Sequence, residues 1–420
     1  VITNLVLFEH PSHVDQLYPF SILHLPWELR FGAFSIIEAW KKITGVSVLG
    51  CFGRAGHVAS FYARFPEYHA RQLGIGNVLL ISSRLLPTNS VLGELRHFAD
   101  AASPVAFAVD EELVAALLPT ATWEQLAFHS WNDVAHYAEL HKWMTVPLHT
   151  ARCFGYLWEL LDLQANAIAE QFDYVAEAAI HPSDYAGAQV AALNGDAISV
   201  GEHSSIAPFV VLDATRGPIL IGRHVTIMPH TTIIGPCAID DHVTIKAGTT
   251  IYAGCSIGRW CKIGGEIESA IFQDYSNKQH SGFVGHSIIG EWVNLGADTN
   301  TSNLKNTYRP IAVELPTGRV STGRTFLGLL CGDHTKAGIN TMFSTGTVVG
   351  ICANIFGAGY TPSSLPSFTW GGIDGHRLYG IDAALDTVRR AMSRRNRVLT
   401  AEEEALICIE FERVAGSQEL

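Results

Sequence analysis

Isoleucine stands at positions 221, 227, 233, 239, 245, 251, 257 and 263, a strict six-residue step over eight successive turns of the pattern. A period of six matches neither the 3.6 of an α-helix nor the 2 of an ordinary strand. It is the hexapeptide signature of a parallel β-helix, in which each repeat supplies one short flat side and three repeats close a coil. Val200, Ile206 and Leu212 begin the series before a three-residue insertion, and Gly222, Gly258 and Gly264 follow their isoleucines where a tight corner leaves little room for a Cβ. Each coil buries its inward aliphatics only against its neighbours, so the stack holds only when continued and capped. Each buried Ile contributes roughly 1.5–3 kcal/mol.

The register breaks twice. Between Ile263 and Phe283 lie twenty positions where eighteen would keep phase, and the period resumes at Phe283, Ile289 and Leu295. A second break, "SNLKNTYRPIAVELPTGRVSTGRT", has no repeat character, and register returns at Cys331, Ala337, Phe343, Val349 and Ile355. Both breaks read as insertions in one solenoid, and such loops tend to gather on a binding face. The first contains "YSNKQHSGF", whose lysine, amides and histidine folding alone does not require.

Ahead of the repeats, "NLVLFEH", "SIIEAWKKITG", "VSVLGCF", "GNVLLISS" and "PVAFAVDEELVAALL" alternate short β-rich runs with amphipathic segments. That order predicts an α/β domain with a largely parallel sheet. A mostly helical stretch from Cys153 leads out of it, and "HPSDYAG" from His181 reads as a linker. After the solenoid, Ile381, Leu385, Val388 and Met392 mark one apolar stripe of a terminal helix. The expected divisions are 1–180, 190–370 and 376–415, within a chain of 420 residues.

A formal charge of −12 argues against nucleic acid or acidic membrane as partner. The eight cysteines include no CxxC pair and read as reduced small hydrophobes. No basic-then-apolar leader and no apolar run near twenty residues occur, so the expectation is a cytoplasmic protein, with Val1 a processed or trimmed start.

The run from "GGEIESAIFQDYSNKQHSGFVGHSIIGEWVNLGADTNTSNLKNTY" resembles the acetyltransferase half of the bifunctional bacterial enzymes that make UDP-N-acetylglucosamine. More closely it is similar to a divergent branch of that pyrophosphorylase/N-acetyltransferase family, described as sugar nucleotidyltransferases. The likeness is strong over the solenoid and weak before it. It implies a Rossmann-like nucleotidyltransferase domain followed by a left-handed β-helix acyltransferase, assembled as a homotrimer and using acetyl-coenzyme A, an NTP and a sugar phosphate. His280 falls at the family's general base, where an imidazole that titrates near neutrality suits removal of an amine proton. Asn294 and Asn303 match amides that hold the sugar and orient the base, and Ala297 falls at a coenzyme-binding position. Phe283 stands where the usual enzymes carry tyrosine, and Glu268 where they carry a phosphate-binding lysine. Lys278 or Lys305 is then the candidate for that missing charge.

Arg394 and Arg395 belong to an arginine cluster that is either a solvated helix face or a grip on the coenzyme phosphates. In the N-terminal domain the glycine-rich loop is missing, and Ser82 and Ser83 replace the expected metal-binding aspartate. Arg30 in "ELRFG" is the candidate phosphate contact, its alternative an ion-pair strut. Asp162 is the candidate Mg²⁺ ligand, its alternative a helix-surface residue. Two other readings stand beside the transferase. A trimeric metalloenzyme of carbonic-anhydrase type would use His224, His230 and His242, the first and last eighteen residues apart. A non-catalytic, nucleotide-sensing scaffold would need no His280.

Overall fold

The computed structural model, which describes residues 1–69, 73–126, 128–175 and 189–418, closes the six-residue period into a three-sided, left-handed prism. Its first face is a nine-stranded sheet from Ile198–Val200 to Ser364–Leu365, and its second a ten-stranded sheet that begins at Ser205–Ile206. The third is a six-stranded sheet from Ala191–Leu193 to Phe283–Gly285, continued by the pair Asn300–Thr301 and Met342–Phe343. Parallel pairing in register stacks Ile221, Ile239 and Ile257 on the first face, Ile227, Ile245 and Ile263 on the second, and Ile233 and Ile251 on the third. All are buried in one core. The glycine rule holds for a measurable reason: a Cβ on Gly258 would stand 2.4 Å from Asp274 Oδ1 in the next coil.

The first register break is not an insertion. Ile267 stacks on Ile251, Phe272 on Ile257, Lys278 on Ile263 and Val284 on Ile267. Steps of four and five residues replace two steps of six, so the corners tighten and nothing bulges out. Val284, not Phe283, points inward, and the inward place after Phe272 belongs to a lysine. The second break is an insertion. It folds as an antiparallel hairpin, Ala312–Leu315 with Gly318–Ser321, and Ile311, Val313 and Leu315 enter the core of the N-terminal domain.

That domain is built on a mixed sheet of β1 (Ile2–Phe8), β2 (Ser47–Phe52), β3 (Asn77–Ser82), β4 (Val105–Val109), β5 (Glu112–Pro119) and β6 (Met144–Pro147), in the order β2-β1-β3-β5-β4-β6. The first three strands are parallel, whereas β4 and β5 form an antiparallel hairpin turned at Asp110 and Glu111. Helix α1 (Ile36–Thr44) starts on a Ser35–Glu38 capping box and stops at the left-handed Gly45, burying Ile36, Ile37, Trp40 and Ile43. Helix α2 (Ala55–Arg64) follows β2. Helix α3 (Glu159–Gln171) lies on the outside of the first face, with Ile168 against Leu220 and Ala238. The expected linker from His181 lies outside the described residues.

The terminal stripe is real: α4 (Ile381–Ser393) buries Leu385, Val388 and Met392. A second helix, α5 (Ala401–Gln418), adds Leu406 and Ile407, and together they cover Trp292, Ile351, Cys352 and Phe368 along one edge of the prism. Among the described residues no helix is long and apolar enough to cross a membrane. All eight cysteines are free thiols.

Candidate functional site

The second and third faces meet at a corner formed by residues that follow Asn277–Lys278. Lys278 explains its shape. Its side chain is fully buried, and the ammonium donates to the carbonyl oxygens of His280 and, at 2.5 Å, of Ser281. Burial brings its pKa down to about 8. A lysine turned into the prism cannot reach a substrate phosphate, so that expectation is corrected: Lys278 ties down the backbone of the corner. The His280 ring stands outside, exposed, with no hydrogen bond to another described residue.

Neighbouring contacts stiffen the same corner. Ser281 Oγ donates to Asp298 at 2.5 Å, the Phe283 N–H donates to Asn300 Oδ1 at 2.8 Å, and Asn300 Nδ2 donates to the Asp298 carbonyl at 2.8 Å. The Asp298 N–H donates to the Ser281 carbonyl at 2.9 Å, which sets Ala297 one coil above His280. The Phe283 ring lies over Gly285, where a Cβ would meet Cζ at 2.3 Å and Asn303 Nδ2 at 2.8 Å. The third face thus presents Phe283 beside the His280 corner and Asn303 at its far end, next to His286.

Asn303 does not orient His280. Its amide meets His286 Nδ1 at 3.0 Å, and the His286 ring stacks on Phe326 at 5.1 Å, with burial lowering its pKa to about 4. His286 is a packed corner residue. Lys305 is half-buried, its Nζ 3.4 Å from the Pro310 carbonyl. On the second face Asn294 pairs in register with Asn277 and Lys336. Arg395 reaches that face through Asn277 Oδ1 at 3.4 Å, while its Nε is buried without a partner; Arg394 is exposed. An orphaned guanidinium N–H and an exposed neighbour fit the phosphates of a coenzyme. The structure therefore places His280, with Ala297 one coil above, at this corner, Phe283 at the start of the third face, Asn303 at that face's far end, and Asn294 and Arg395 on the second face, while the Lys278 ammonium is turned to the corner backbone.

The N-terminal candidates lie elsewhere. Arg30 is 3% exposed and its donors are taken: Nη1 by Asp240 at 2.7 Å, Nε by Ser256 Oγ at 3.1 Å and Nη2 by the Ala33 carbonyl at 2.8 Å. It is the strut that seats the α/β domain on the prism, and not a free phosphate ligand. Asp162 pairs with Arg324 of the inserted hairpin segment. At the carboxyl edge of the sheet, where open α/β sheets bind ligands, Glu9 pairs with Arg54 at 2.9 Å, and Arg54 also donates to the carbonyls of Ser21 and His24. Ser83 meets the buried His13 Nδ1 at 3.0 Å. A carboxylate committed to arginine and two buried serines do not fit a Mg²⁺ site.

Of the histidines of the metalloenzyme reading, His224 and His242 stack on each other, and His230 stands at another corner. His203, His224 and His242 stack at 4.9 and 4.8 Å between ring centroids, and His230 stacks on Phe209 at 5.2 Å. They pack the corners as a ladder. Among the described residues no group of three His, Cys, Asp or Glu side chains is placed to hold a metal.

Sequence reasoning missed a buried cluster at the seam of the three parts. His24 lies 2.5 Å from Asp333 and 3.1 Å from Glu28, and Glu28 pairs with Arg64. Burial alone would lower the His24 pKa, but the two carboxylates outweigh it and hold the ring well above its ordinary value. Burial raises Glu291 nearby. No spacing in the sequence announces partners 309 residues apart.

Residues 5–179 match a sugar nucleotidyl transferase family model, and residues 218–253 a bacterial transferase hexapeptide model of six repeats. The chain is 35% identical over 97 residues to the bifunctional sugar-1-phosphate nucleotidylyltransferase/acetyltransferase of Sulfurisphaera tokodaii, covering 23% of this chain and 24% of that one. It is 38% identical over 85 residues to the bifunctional protein GlmU of Methanocaldococcus jannaschii, covering 20% and 21%. It thus spans about a quarter or less of those two relatives' length. The uncharacterized acetyltransferase YaiX of Escherichia coli O6:K15:H31 (strain 536 / UPEC) is 33% identical over 167 residues, which cover 39% of this chain and 73% of the relative.

Proposed function

This chain belongs to the hexapeptide-repeat sugar nucleotidyltransferases, as a divergent branch of the bifunctional nucleotidyltransferase/acetyltransferases, and is a transferase; from that premise we propose that its prism transfers an acetyl group from acetyl-coenzyme A to the amine of an amino-sugar 1-phosphate. The observation that carries the reading is the His280 ring, exposed on a corner whose backbone a buried lysine holds in place.

The coenzyme supplies an activated acyl carbon. His280 accepts, at a ring nitrogen, the proton that the acceptor amine sheds as its nitrogen bonds to that carbon; the carbon–sulfur bond breaks, and the departing thiolate takes the proton back from the imidazolium to leave as thiol. No covalent enzyme intermediate is needed. Asn294 and Phe283 flank the acceptor on either side of the corner, with Asn303 at the far end of the Phe283 ring. Arg394, Arg395 and Ala297 take the coenzyme, and Lys305 faces the acceptor phosphate in place of the lysine that Glu268 replaces. The corner is open to solvent in one protomer, and in the homotrimer that belongs to this proposal a neighbouring prism closes the groove. The printed name of the Sulfurisphaera tokodaii relative, a bifunctional sugar-1-phosphate nucleotidylyltransferase/acetyltransferase, agrees with the pairing of domains. For the N-terminal domain we propose that nucleotidyl transfer is lost, because the Glu9–Arg54 pair fills the edge of its sheet.

Incubation with acetyl-coenzyme A and glucosamine 1-phosphate should release free thiol, and His280→Ala should lower kcat by about 10²–10⁴-fold, the usual contribution of a general base. Wild-type turnover in that variant would remove His280 from the reaction. Pyrophosphate released from UTP or dTTP with a sugar 1-phosphate would refute the loss of nucleotidyl transfer.

A further inference from the structure

The first and second faces meet at a different corner, across the second face from His280. There three parts of the chain enclose a cavity of about 500 Å³. The start of α1 and the end of α2 form one wall, the prism corner at Gln273 and Trp292 a second, and the segment between α4 and α5 the third. The volume falls within the range of small-molecule sites, about 300–1,000 Å³. Glu9, Arg54 and Ser83, which mark the carboxyl edge of the sheet, do not line it.

Two buried N–H donors among its lining residues lack an acceptor: Nε2 of Gln273, a residue 3% exposed, and Nε of Arg64. Leaving a buried donor unpaired costs about 1–3 kcal/mol, so two on facing walls of one cavity point to an occupant that brings acceptors. Carboxylates stand close but stop short. Arg64 Nη1 is 4.0 Å from Glu291 and its Nε 3.7 Å from Glu403, both beyond hydrogen-bond length. Those gaps suit a group that accepts and donates at once, which is what a hydroxyl does. Phosphate is a poor fit: the arginines at positions 30, 64 and 259 already pair with Asp240, Glu28 and Glu38, and the Glu403 carboxylate adds negative charge.

We propose that this seam cavity binds a neutral, hydroxyl-rich ligand of the size of a monosaccharide or nucleoside, whose oxygens accept from Gln273 Nε2 and Arg64 Nε and whose hydroxyl hydrogens go to Glu403. The ligand touches the α/β domain, the prism and the terminal extension together, so its binding couples the three. The site is separate from the acetyl-transfer corner and does not depend on that reading.

Calorimetry on the full chain with glucose, N-acetylglucosamine and uridine tests it, with inorganic phosphate as the anionic probe. One neutral probe should bind with one site per chain and raise Tm. Gln273→Met should weaken that probe about tenfold, which corresponds to about 1.4 kcal/mol, without lowering Tm of the free protein, since it removes an unpaired donor. Gln273→Glu, equal in shape and without the donor, serves if the Met variant does not fold. His280→Ala should leave this binding unchanged. The proposal fails if no neutral probe binds, if phosphate alone binds, if both Gln273 variants keep wild-type affinity, or if His280→Ala abolishes the signal, which would place it at the acyl-acceptor corner.

Discussion

Replacing Arg30 with Met should loosen the seat of the α/β domain on the prism, by an amount that depends on pH. The guanidinium is 3% exposed, 2.7 Å from Asp240 and 3.6 Å from Asp274. Met fills the space of the stem, so the cost arises from the carboxylates left behind and not from a void. Removing one partner of a buried ion pair costs about 3–5 kcal/mol. Burial already raises the Asp274 carboxyl above its ordinary value, against the pull of Arg30. Without the guanidinium it rises further. A carboxyl whose pKa is higher folded than unfolded holds its proton better in the folded state, so its contribution is complete below about 3.9 and is lost as pH rises through the folded value. The deficit of Arg30→Met against wild type should therefore be largest near pH 8 and shrink toward pH 5. Equilibrium urea unfolding of both proteins at the two pH values measures it. A deficit under about 1 kcal/mol at pH 8, or one unchanged by pH, would refute the assignment of Arg30 as a buried strut.

Lys278→Met should fold, because an unbranched apolar chain suits the inward position above Ile263, yet should lower kcat by about tenfold or more as the His280 and Ser281 carbonyls lose their tie. Because burial depresses the folded pKa of Lys278 to about 8, the unfolded chain binds more protons above that value. Wild-type stability should thus gain a rising component between about pH 8 and the unfolded lysine value near 10.4, absent from the Met variant in the same urea titrations. Ile251→Ala, in the middle of the third face, should cost about 2–5 kcal/mol, seen as a lower Tm with the prism's circular dichroism retained at low temperature. Gly258→Ala places a Cβ 2.4 Å from Asp274 Oδ1 and 2.8 Å from backbone atoms, so it should destabilise by more than the roughly 0.4–1 kcal/mol that Gly→Ala gains in unconstrained backbone; a stabilised variant would contradict the tight stacking of the coils.

The two register breaks show where reading by period succeeds and where it stops. The hairpin at 312–321 was legible as an insertion because its residues carry no repeat character. The stretch from Ile263 to Phe283 looks the same by count, but two shortened steps followed by full ones produce a similar phase error as an added loop. Only stacking tells them apart, and it moved Phe283 outward and Lys278 inward. The α1 boundaries were legible because a Ser35–Glu38 box and a left-handed glycine act within a few residues. The role of Arg30 was open between two readings because its partners lie more than 200 residues away.

Local periodicity carries its own physical cause, since each inward isoleucine is buried by residues six and eighteen positions along the same chain; the prism, the alternating α/β domain and the terminal apolar stripe follow from the sequence by itself. Contacts between distant segments have no such period. The tertiary structure alone decided that a lysine braces the His280 corner, that arginines fill the edge of the N-terminal sheet and the domain seam, and that Gln273 faces a cavity whose walls come from three separated parts of the chain.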